Sequence, residues 1–220
     1  MNEEFISAPH LDDLQCAYSA LQGFLQGHNS KNINVMVCYD NEEVGSGTKQ
    51  GAGSTFLHDV LHRINTALGK PEEAYYRALA NSFMLSADNA HAVHPNHPEK
   101  TDATNCVYMN EGIVVKSHAG QKYTSDAVSI AIFRKICEEA GVPVQFFSNR
   151  SDMAGGSTLG NISSTKVAMN AVDVGLPQLA MHSSYETAGV KDTFYMVKAM
   201  EMFYRTTLSE VSEGAWNIDV

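Results

Sequence analysis

The sequence is poor in cysteine, in positive charge and in long apolar runs. None of its cysteines forms a CxxC pair, and three of the four lie within apolar runs; they are Cys16, Cys38, Cys106 and Cys137. This usage predicts reduced core residues in a cytoplasmic protein. The N-terminus has neither a basic region nor an apolar one, so no signal peptide is expected.

The shortage of positive charge argues against one class of partner. The sequence has 15 Lys and Arg residues and 25 Asp and Glu residues, which gives a net charge of -10. No basic patch of useful size is present, so nucleic acid is not an expected partner. No stretch approaches transmembrane length, so no membrane partner is expected either. An acidic total is typical of a carboxylate-lined metal site, although surface solubility explains it equally well.

What the sequence does contain is the material for one globular domain. Its 220 residues are 44% hydrophobic and 18% charged, which suffices for a sizeable core. Apolar runs predict strands at 33–39, 83–87, 112–117, 144–148 and 171–174. Periodicity and capping residues predict helices at 11–25, 54–68, from 71, at 125–140 and at 190–208, with a loosely held tail from 209. This alternation predicts an α/β fold, in which ligands gather beyond the carboxyl ends of the strands.

The first chemical motif is the string YDNEEVGS, at the end of the predicted strand 33–39. Adjacent carboxylates repel each other unless a positive charge lies close, and a bare pair is most simply a solvated acidic turn. Here Glu42 and Glu43 precede glycines that let the backbone approach a ligand, which favours a cation site. In a metallohydrolase, one such acid binds metal and the other takes a proton from water.

A histidine-rich loop follows the next predicted strand. His91, His94 and His97 recur at intervals of three after Asp88, which itself stands at a strand end. This spacing is an ambiguous transition-metal signal, because histidines beside prolines also pack loops. Asp88 is a natural ligand for a hard cation.

Two more candidates lie near the ends of the chain. His182 follows an apolar run that should deliver it to a sheet edge, although a lone histidine there is often structural. Asp12 and Asp13 begin a predicted helix, where either carboxylate can simply favour the positive helix N-terminus.

Two other motifs are poor candidates for a site. His58 and His62 lie one turn apart in HDVLH, but Asp59 replaces the glutamate of HExxH, so a zincin site is not predicted. The glycine-rich loop at 152–160 lacks the lysine and spacing of a P-loop. We expect that loop to line a substrate pocket with its backbone.

Five strings, taken in order, resemble the signature blocks of the M18 (aspartyl aminopeptidase-like) zinc metallopeptidases. They are LDDL, YDNEEVGS, ADNAHAVHPNHPEK, NRSDMAGGSTLG and DVGLPQLAMHSSYE. DNEEVGS and AHAVHPN are the most specific, and the resemblance spans nearly the whole chain. It implies a three-layer α-β-α sandwich of the zinc-peptidase (phosphorylase/hydrolase-like) type, incomplete at its N-terminal side. It also implies a metal-dependent aminopeptidase that removes acidic or neutral N-terminal residues from peptides.

The resemblance implies a set of metal ligands. Asp12 would bridge two Zn2+ ions, with Glu43 and His182 completing one site and Asp88 binding the other ion. Cobalt or manganese could replace zinc at a site made mostly of oxygen ligands.

The resemblance also implies roles in catalysis and binding. Glu42 would be the general base, which takes a proton from water shared by the metals and passes it to the leaving amine. His91 and Lys116 would line the substrate pocket.

The sequence departs from the family pattern at its start. Family members are longer there, and their additional part supplies a His-x-Asp histidine for the Asp88 zinc and a dimerisation domain. No His-x-Asp precedes Asp12 here. We therefore expect residues 1–220 to be one catalytic-type domain, the C-terminal part of the M18 catalytic domain without its dimerisation domain. His10, His91 and His94 remain open as replacement ligands.

The departure leaves several functions open. The first is an active zinc aminopeptidase; the second is a catalytically incomplete chain that binds metal and acts as an assembly subunit. A related dizinc deacylase of N-acyl amino acids is a third. Retention of Glu42 favours an enzyme, whereas the absent histidine favours the assembly subunit. A homo-oligomer or a complementary N-terminal chain is the expected protein partner.

Overall fold

The computed structural model describes residues 3–220, which form a mixed α/β structure. The strands are β1 (Phe5–Ala8), β2 (Phe83–Ala87), β3 (Ala90–His91), β4 (Ile113–Ser117), β5 (Val144–Ser148), β6 (Asn170–Gly175), β7 (Pro177–Leu179), β8 (Glu186–Gly189), β9 (Thr207–Ser212) and β10 (Ala215–Asp219). The helices are α1 (Leu11–Gln26), α2 (Phe56–Ala67), α3 (Glu72–Ala80), α4 (Ala127–Ala140), α5 (Leu159–Ser163) and α6 (Val190–Arg205). Every helix in this part of the chain is too short or too polar to cross a bilayer.

The central sheet has the strand order β2-β6-β4-β5. β2 runs parallel to β6 and β4 runs parallel to β5, while β4 and β6 are antiparallel. β4 and β6 are almost wholly buried, which explains why they occur as nearly continuous apolar runs. The sequence predicted β2 and β5 at their observed bounds and the two inner strands to within one residue.

Helices cover both faces of this sheet. On one face α6 packs against α1 and α4, over a core that includes Val172 and Val174 of β6. Alternate residues of a strand point to opposite faces, so Asp173 points away from that core. It lies against Gly160 of α5, where an added Cβ would come within 2.8 Å of Asp173 Oδ1. The fold is therefore the predicted three-layer α-β-α sandwich.

A second sheet, with the order β1-β8-β7-β3, continues from the carboxyl ends of the first. The segments that follow β2 and β6 stay paired beyond the ends of these strands. Asp88 N–H donates to Val174 O (3.1 Å) and Ala90 N–H donates to Leu176 O (2.8 Å). Asp88 thus lies where the two sheets meet. β1 pairs antiparallel with β8, which brings the residues just before α1 to the same region.

The prediction of a strand at 33–39 is wrong. Residues 33–39 form an irregular segment, and none of the described residues pairs with it in a sheet. An apolar run becomes a strand only where another strand completes its hydrogen bonds. Cys38 is exposed within this segment, so it is not the core residue predicted; Cys16 and Cys137 are buried and Cys106 is partly exposed.

The buried face of helix α1 is not the apolar face that the sequence predicts. Five apolar residues at spacings of three and four predict this helix; the first of them is half-buried and the others are exposed, namely Leu11 and then Leu14, Tyr18, Leu21 and Leu25. The buried face instead carries small residues such as Ser19 and Gly23. A Cβ on Gly23 would lie 2.3 Å from Met200 Cβ of α6, so glycine permits the close approach of the two helices.

The prediction of a loosely held tail is also wrong. Residues beyond α6 form the antiparallel hairpin β9–β10. Its Trp216 ring lies 6.4 Å from that of Phe83 in an edge-to-face arrangement, and Asp219 pairs with Lys31. An aromatic contact with β2 therefore anchors the end of the chain.

We predict that Asp192→Ala destabilises the fold by about 2–4 kcal/mol, because it leaves two buried backbone donors unpaired. Asp192 is 0% exposed, and its carboxylate accepts from the backbone N–H groups of Asn110 (2.6 Å) and Gly112 (3.1 Å). Burial raises its pKa to about 6, so the group is ionised at pH 7.5. Urea unfolding at pH 7.5 measures the loss. Glu139→Ala, which removes an exposed ion pair with Lys135, should change stability by less than about 0.5 kcal/mol; equal effects would contradict the prediction.

Candidate metal centre

The predicted site residues line one cavity of about 640 Å3, a volume typical of small-ligand sites. These residues are Asp12, Glu42, Glu43, Asp88, His91, Lys116 and His182. The cavity opens beyond the carboxyl ends of β2 and β4, as expected for an α/β sheet. Their individual roles stay predictions at this point, but the fold brings all seven to one place.

One group of potential ligands combines two carboxylates with an imidazole. Asp12 lies at the start of α1, Glu43 in the loop after the irregular segment, and His182 after β7. Their ligand atoms all lie within 4.8 Å of one another. His182 Nε2 is 3.2 Å from Asp12 Oδ2 and 3.0 Å from Glu43 Oε2. Oxygen and imidazole ligands in one cluster are a donor set that zinc accepts.

A second group consists of carboxylates alone. Asp12, Asp13 and Asp88 also place ligand atoms within 4.8 Å of one another. Asp12 belongs to both groups. No histidine of residues 3–220 joins this second group, so none of the replacement ligands left open by the sequence lies within it. Asp13, which the sequence left as a helix-start residue, does lie within it.

The cluster is electrostatically unfavourable as bare protein. Burial, followed by the charges of Asp88 and Glu43, raises the pKa of Asp12 to about 8. Burial also raises the pKa of Asp13. Oδ1 of Asp12 and Oδ1 of Asp13 are buried and accept no hydrogen bond from the described residues. Buried acceptors with raised pKa values are what bound cations would satisfy, so the donor set fits divalent metal.

Glu42 lies beside this cluster in the same cavity. Burial, together with the charges of Asp88 and Glu43, raises the pKa of Glu42 to about 7. Unlike Glu43, it belongs to neither ligand group. Its carboxyl is therefore available for proton transfer.

Lys116 provides a buried positive charge at the cavity wall. Its Nζ donates to Asp88 Oδ2 (3.2 Å) and to Asn89 O (2.6 Å), and lies 5.6 Å from the ring centre of Tyr123. Burial lowers the pKa of Lys116, but the charge of Asp88 outweighs that effect and raises it above the usual value. Lys116 thus stays charged and fixes Asp88 in place.

A buried amide network behind the carboxylates was not predicted from the sequence. Asn89 Nδ2 donates to the side-chain oxygens of Gln15 (2.9 Å) and Gln178 (2.9 Å), and Cys16 Sγ donates to Asn89 Oδ1 (3.0 Å). These contacts tie α1 and β7 to the residue after Asp88. The available signal was polar residues inside apolar runs, such as Gln178 in GLPQLAM.

The glycine-rich loop at 152–160 contributes to the wall of the cavity, whereas the pair of His58 and His62 lies outside it. Gly155, Gly156 and Thr158 line the cavity. His58 and His62 stack on α2 with ring centres 6.0 Å apart, and neither lines the cavity. The pair is therefore no part of this site.

Comparisons with known proteins identify the family of this chain. The family model described as aminopeptidase I zinc metalloprotease (M18) matches residues 1–204. A probable M18 family aminopeptidase 2 from Clostridium acetobutylicum is 50% identical over 93% of this chain and 47% of its own length. The protein of the same name from Clostridium novyi is 51% identical, with the same coverage. The chain thus spans about half the length of the curated relatives it matches.

Solved structures show the same similarity. An M18 family aminopeptidase from Thermotoga maritima is 29% identical with a TM-score of 0.85, over 93% of this chain and 47% of that one. The S. cerevisiae mApe1 dodecamer is 30% identical with a TM-score of 0.80, over 93% and 47% of the two chains. The family model, the relatives and the fold agree, and the chain belongs to the M18 family of aminopeptidase I zinc metalloproteases.

Proposed function

We propose that this chain carries the metal centre of an aminopeptidase that removes acidic or neutral N-terminal residues from peptides. The observation that carries the proposal is the ligand group Asp12, Glu43 and His182, with a free carboxyl at Glu42 in the same cavity. A metal-binding scaffold needs the ligands alone, whereas hydrolysis also needs a group that moves a proton.

The proposed role of each residue follows from its place in the cavity. Asp12, Glu43 and His182 would hold one Zn2+ ion, and Asp12 with Asp88 the other; Co2+ and Mn2+ suit the same oxygen-rich set. The chemistry that bound zinc supplies is Lewis acidity, which acidifies water and polarises the scissile carbonyl. Glu42 would take the proton from the attacking water and deliver it to the amine of the departing peptide.

The cavity wall suits a substrate with a negative or neutral first residue. Lys116 Nζ is buried and charged, and His91 lines the same wall. Lys116 would offset part of the carboxylate charge of the cavity, and His91, whose pKa burial lowers, would offer a neutral imidazole to a polar side chain of the substrate. The backbone around Gly155 and Gly156 would complete the pocket for the terminal residue.

We further propose that residues 1–220 act as a single catalytic-type domain within a larger assembly. The mApe1 relative is a dodecamer by its description. The apolar face of α1, with Leu14 66% and Leu25 57% exposed, is suited to cover by protein. A homo-oligomer or a complementary N-terminal chain would supply that cover.

One observation favours a second candidate, a metal-binding assembly subunit without catalytic activity. The group formed by Asp12, Asp13 and Asp88 contains no nitrogen ligand among residues 3–220. If this group holds no metal, only one ion binds and the dizinc chemistry is lost.

We predict that Glu42→Gln lowers metal-dependent hydrolysis of aspartyl- and glutamyl-p-nitroanilide by about 100-fold or more, because the amide cannot accept the proton. The assay uses the purified chain with added zinc, cobalt or manganese. Zinc content should stay unchanged, since Glu42 belongs to neither ligand group. Glu139→Gln, on the surface of α4, is the control. A folded wild-type chain without turnover under any metal would favour the assembly subunit.

We predict two bound zinc ions per chain, with different losses in two variants. Asp12→Ala should remove both ions, because Asp12 belongs to both groups, whereas His182→Ala should remove one. Elemental analysis after dialysis measures the stoichiometry, and circular dichroism checks the fold. A wild-type chain with a single ion that survives in His182→Ala would show that the ligand assignment is wrong.

A further inference from the structure

We propose that Glu186 is a positioning residue that locks two metal ligands, Asp12 and His182, into one geometry through their backbones. The inference rests on the proposed metal centre and adds a residue that is not itself a ligand. Glu186 is 2% exposed and stands at the start of β8.

The contacts of Glu186 are divided evenly between the two ligands. Its Oε2 accepts the backbone N–H of Asp12 at 3.0 Å, and its Oε1 accepts the backbone N–H of His182 at 2.8 Å. Asp12 and His182 are 170 residues apart in the sequence. One buried carboxylate therefore bridges two chain segments that are distant in the sequence.

The backbone conformation at His182 is one that these hydrogen bonds would stabilise. His182 has φ 66°, in the left-handed region, and so does Ala180 with φ 58°. That region is unfavourable for residues other than glycine, because their Cβ crowds the backbone. A charged acceptor bonded to the His182 N–H stabilises this backbone, and the imidazole then lies 3.2 Å from Asp12 Oδ2.

The position of β8 fixes Glu186 in turn. Glu186 pairs with Ala8 of β1, four residues before Asp12, while β8 also pairs with β7, which leads to His182. The pairing register of β8 therefore places the Glu186 carboxylate between the two segments, so that it contacts both N–H groups directly. Groups that orient metal ligands without binding the metal typically change its affinity about 10- to 100-fold.

The test is the zinc affinity of Glu186→Gln, measured by competition with a chromophoric chelator on the full chain. Glutamine keeps the size, but its NH2 must face one of the two N–H donors, so one bond is lost. We expect affinity to fall by about 10- to 100-fold. Thermal unfolding of the metal-free variants reports stability separately.

Asp192→Asn is the matched control. Asp192 is likewise a buried carboxylate that accepts from two backbone N–H groups, those of Asn110 and Gly112, but neither donor belongs to a proposed metal ligand. Its substitution should lower stability and leave zinc affinity unchanged. A second variant, Glu186→Asp, keeps the charge but is one methylene too short to span both donors, so it should also bind zinc more weakly.

The outcomes separate the possibilities. Weaker zinc binding in both Glu186 variants, with wild-type affinity in Asp192→Asn, supports the positioning role. Wild-type affinity in Glu186→Gln or in Glu186→Asp overturns it while leaving the metal centre standing. Affinity that falls equally in Asp192→Asn overturns it too, because the effect is then one of general stability. A wild-type chain that binds no zinc would refute the proposed metal centre and the role of Glu186 together.

Discussion

The rest of the structure depends on one constraint, the crowding of carboxylates in a single partly buried cavity. Asp12, Glu42, Glu43 and Asp88 line that cavity, and Asp13 lies beside Asp12 and Asp88. Burial, and after it the charge of Asp88, raises the pKa of Asp12 to about 8. Such an arrangement costs stability unless cations are bound, so the fold must hold it in place by other contacts.

Those contacts come from three directions. Lys116 neutralises Asp88 from the sheet side, the amide of Asn89 ties α1 to β7, and Glu186 joins the backbones that carry Asp12 and His182. Each uses a buried polar group that is hydrogen-bonded, which is the condition under which burial of polarity is tolerated. The bend between the two sheets places Asp88 where these contacts meet.

The packing of α1 shows how the same constraint governs a whole helix. Its first residues carry two site carboxylates, and its buried face must approach α6 closely enough for Gly23 to touch Met200. Small residues therefore occupy the core side. The larger apolar residues are displaced outwards to the exposed face.

The sequence by itself determined much of the fold and the membership of the site. Apolar runs bounded by turn residues located β2 and β5, periodicity and capping residues located α4, and ordered strings led to seven residues that line one cavity. These signals are local or rest on resemblance. Only the tertiary structure decided that residues 33–39 form no strand, that Asp13 lies beside Asp88, and that the Glu186 carboxylate accepts the backbone N–H of Asp12. The physical reason is common to all three: each depends on a partner distant in the chain, and no local pattern encodes where that partner lies.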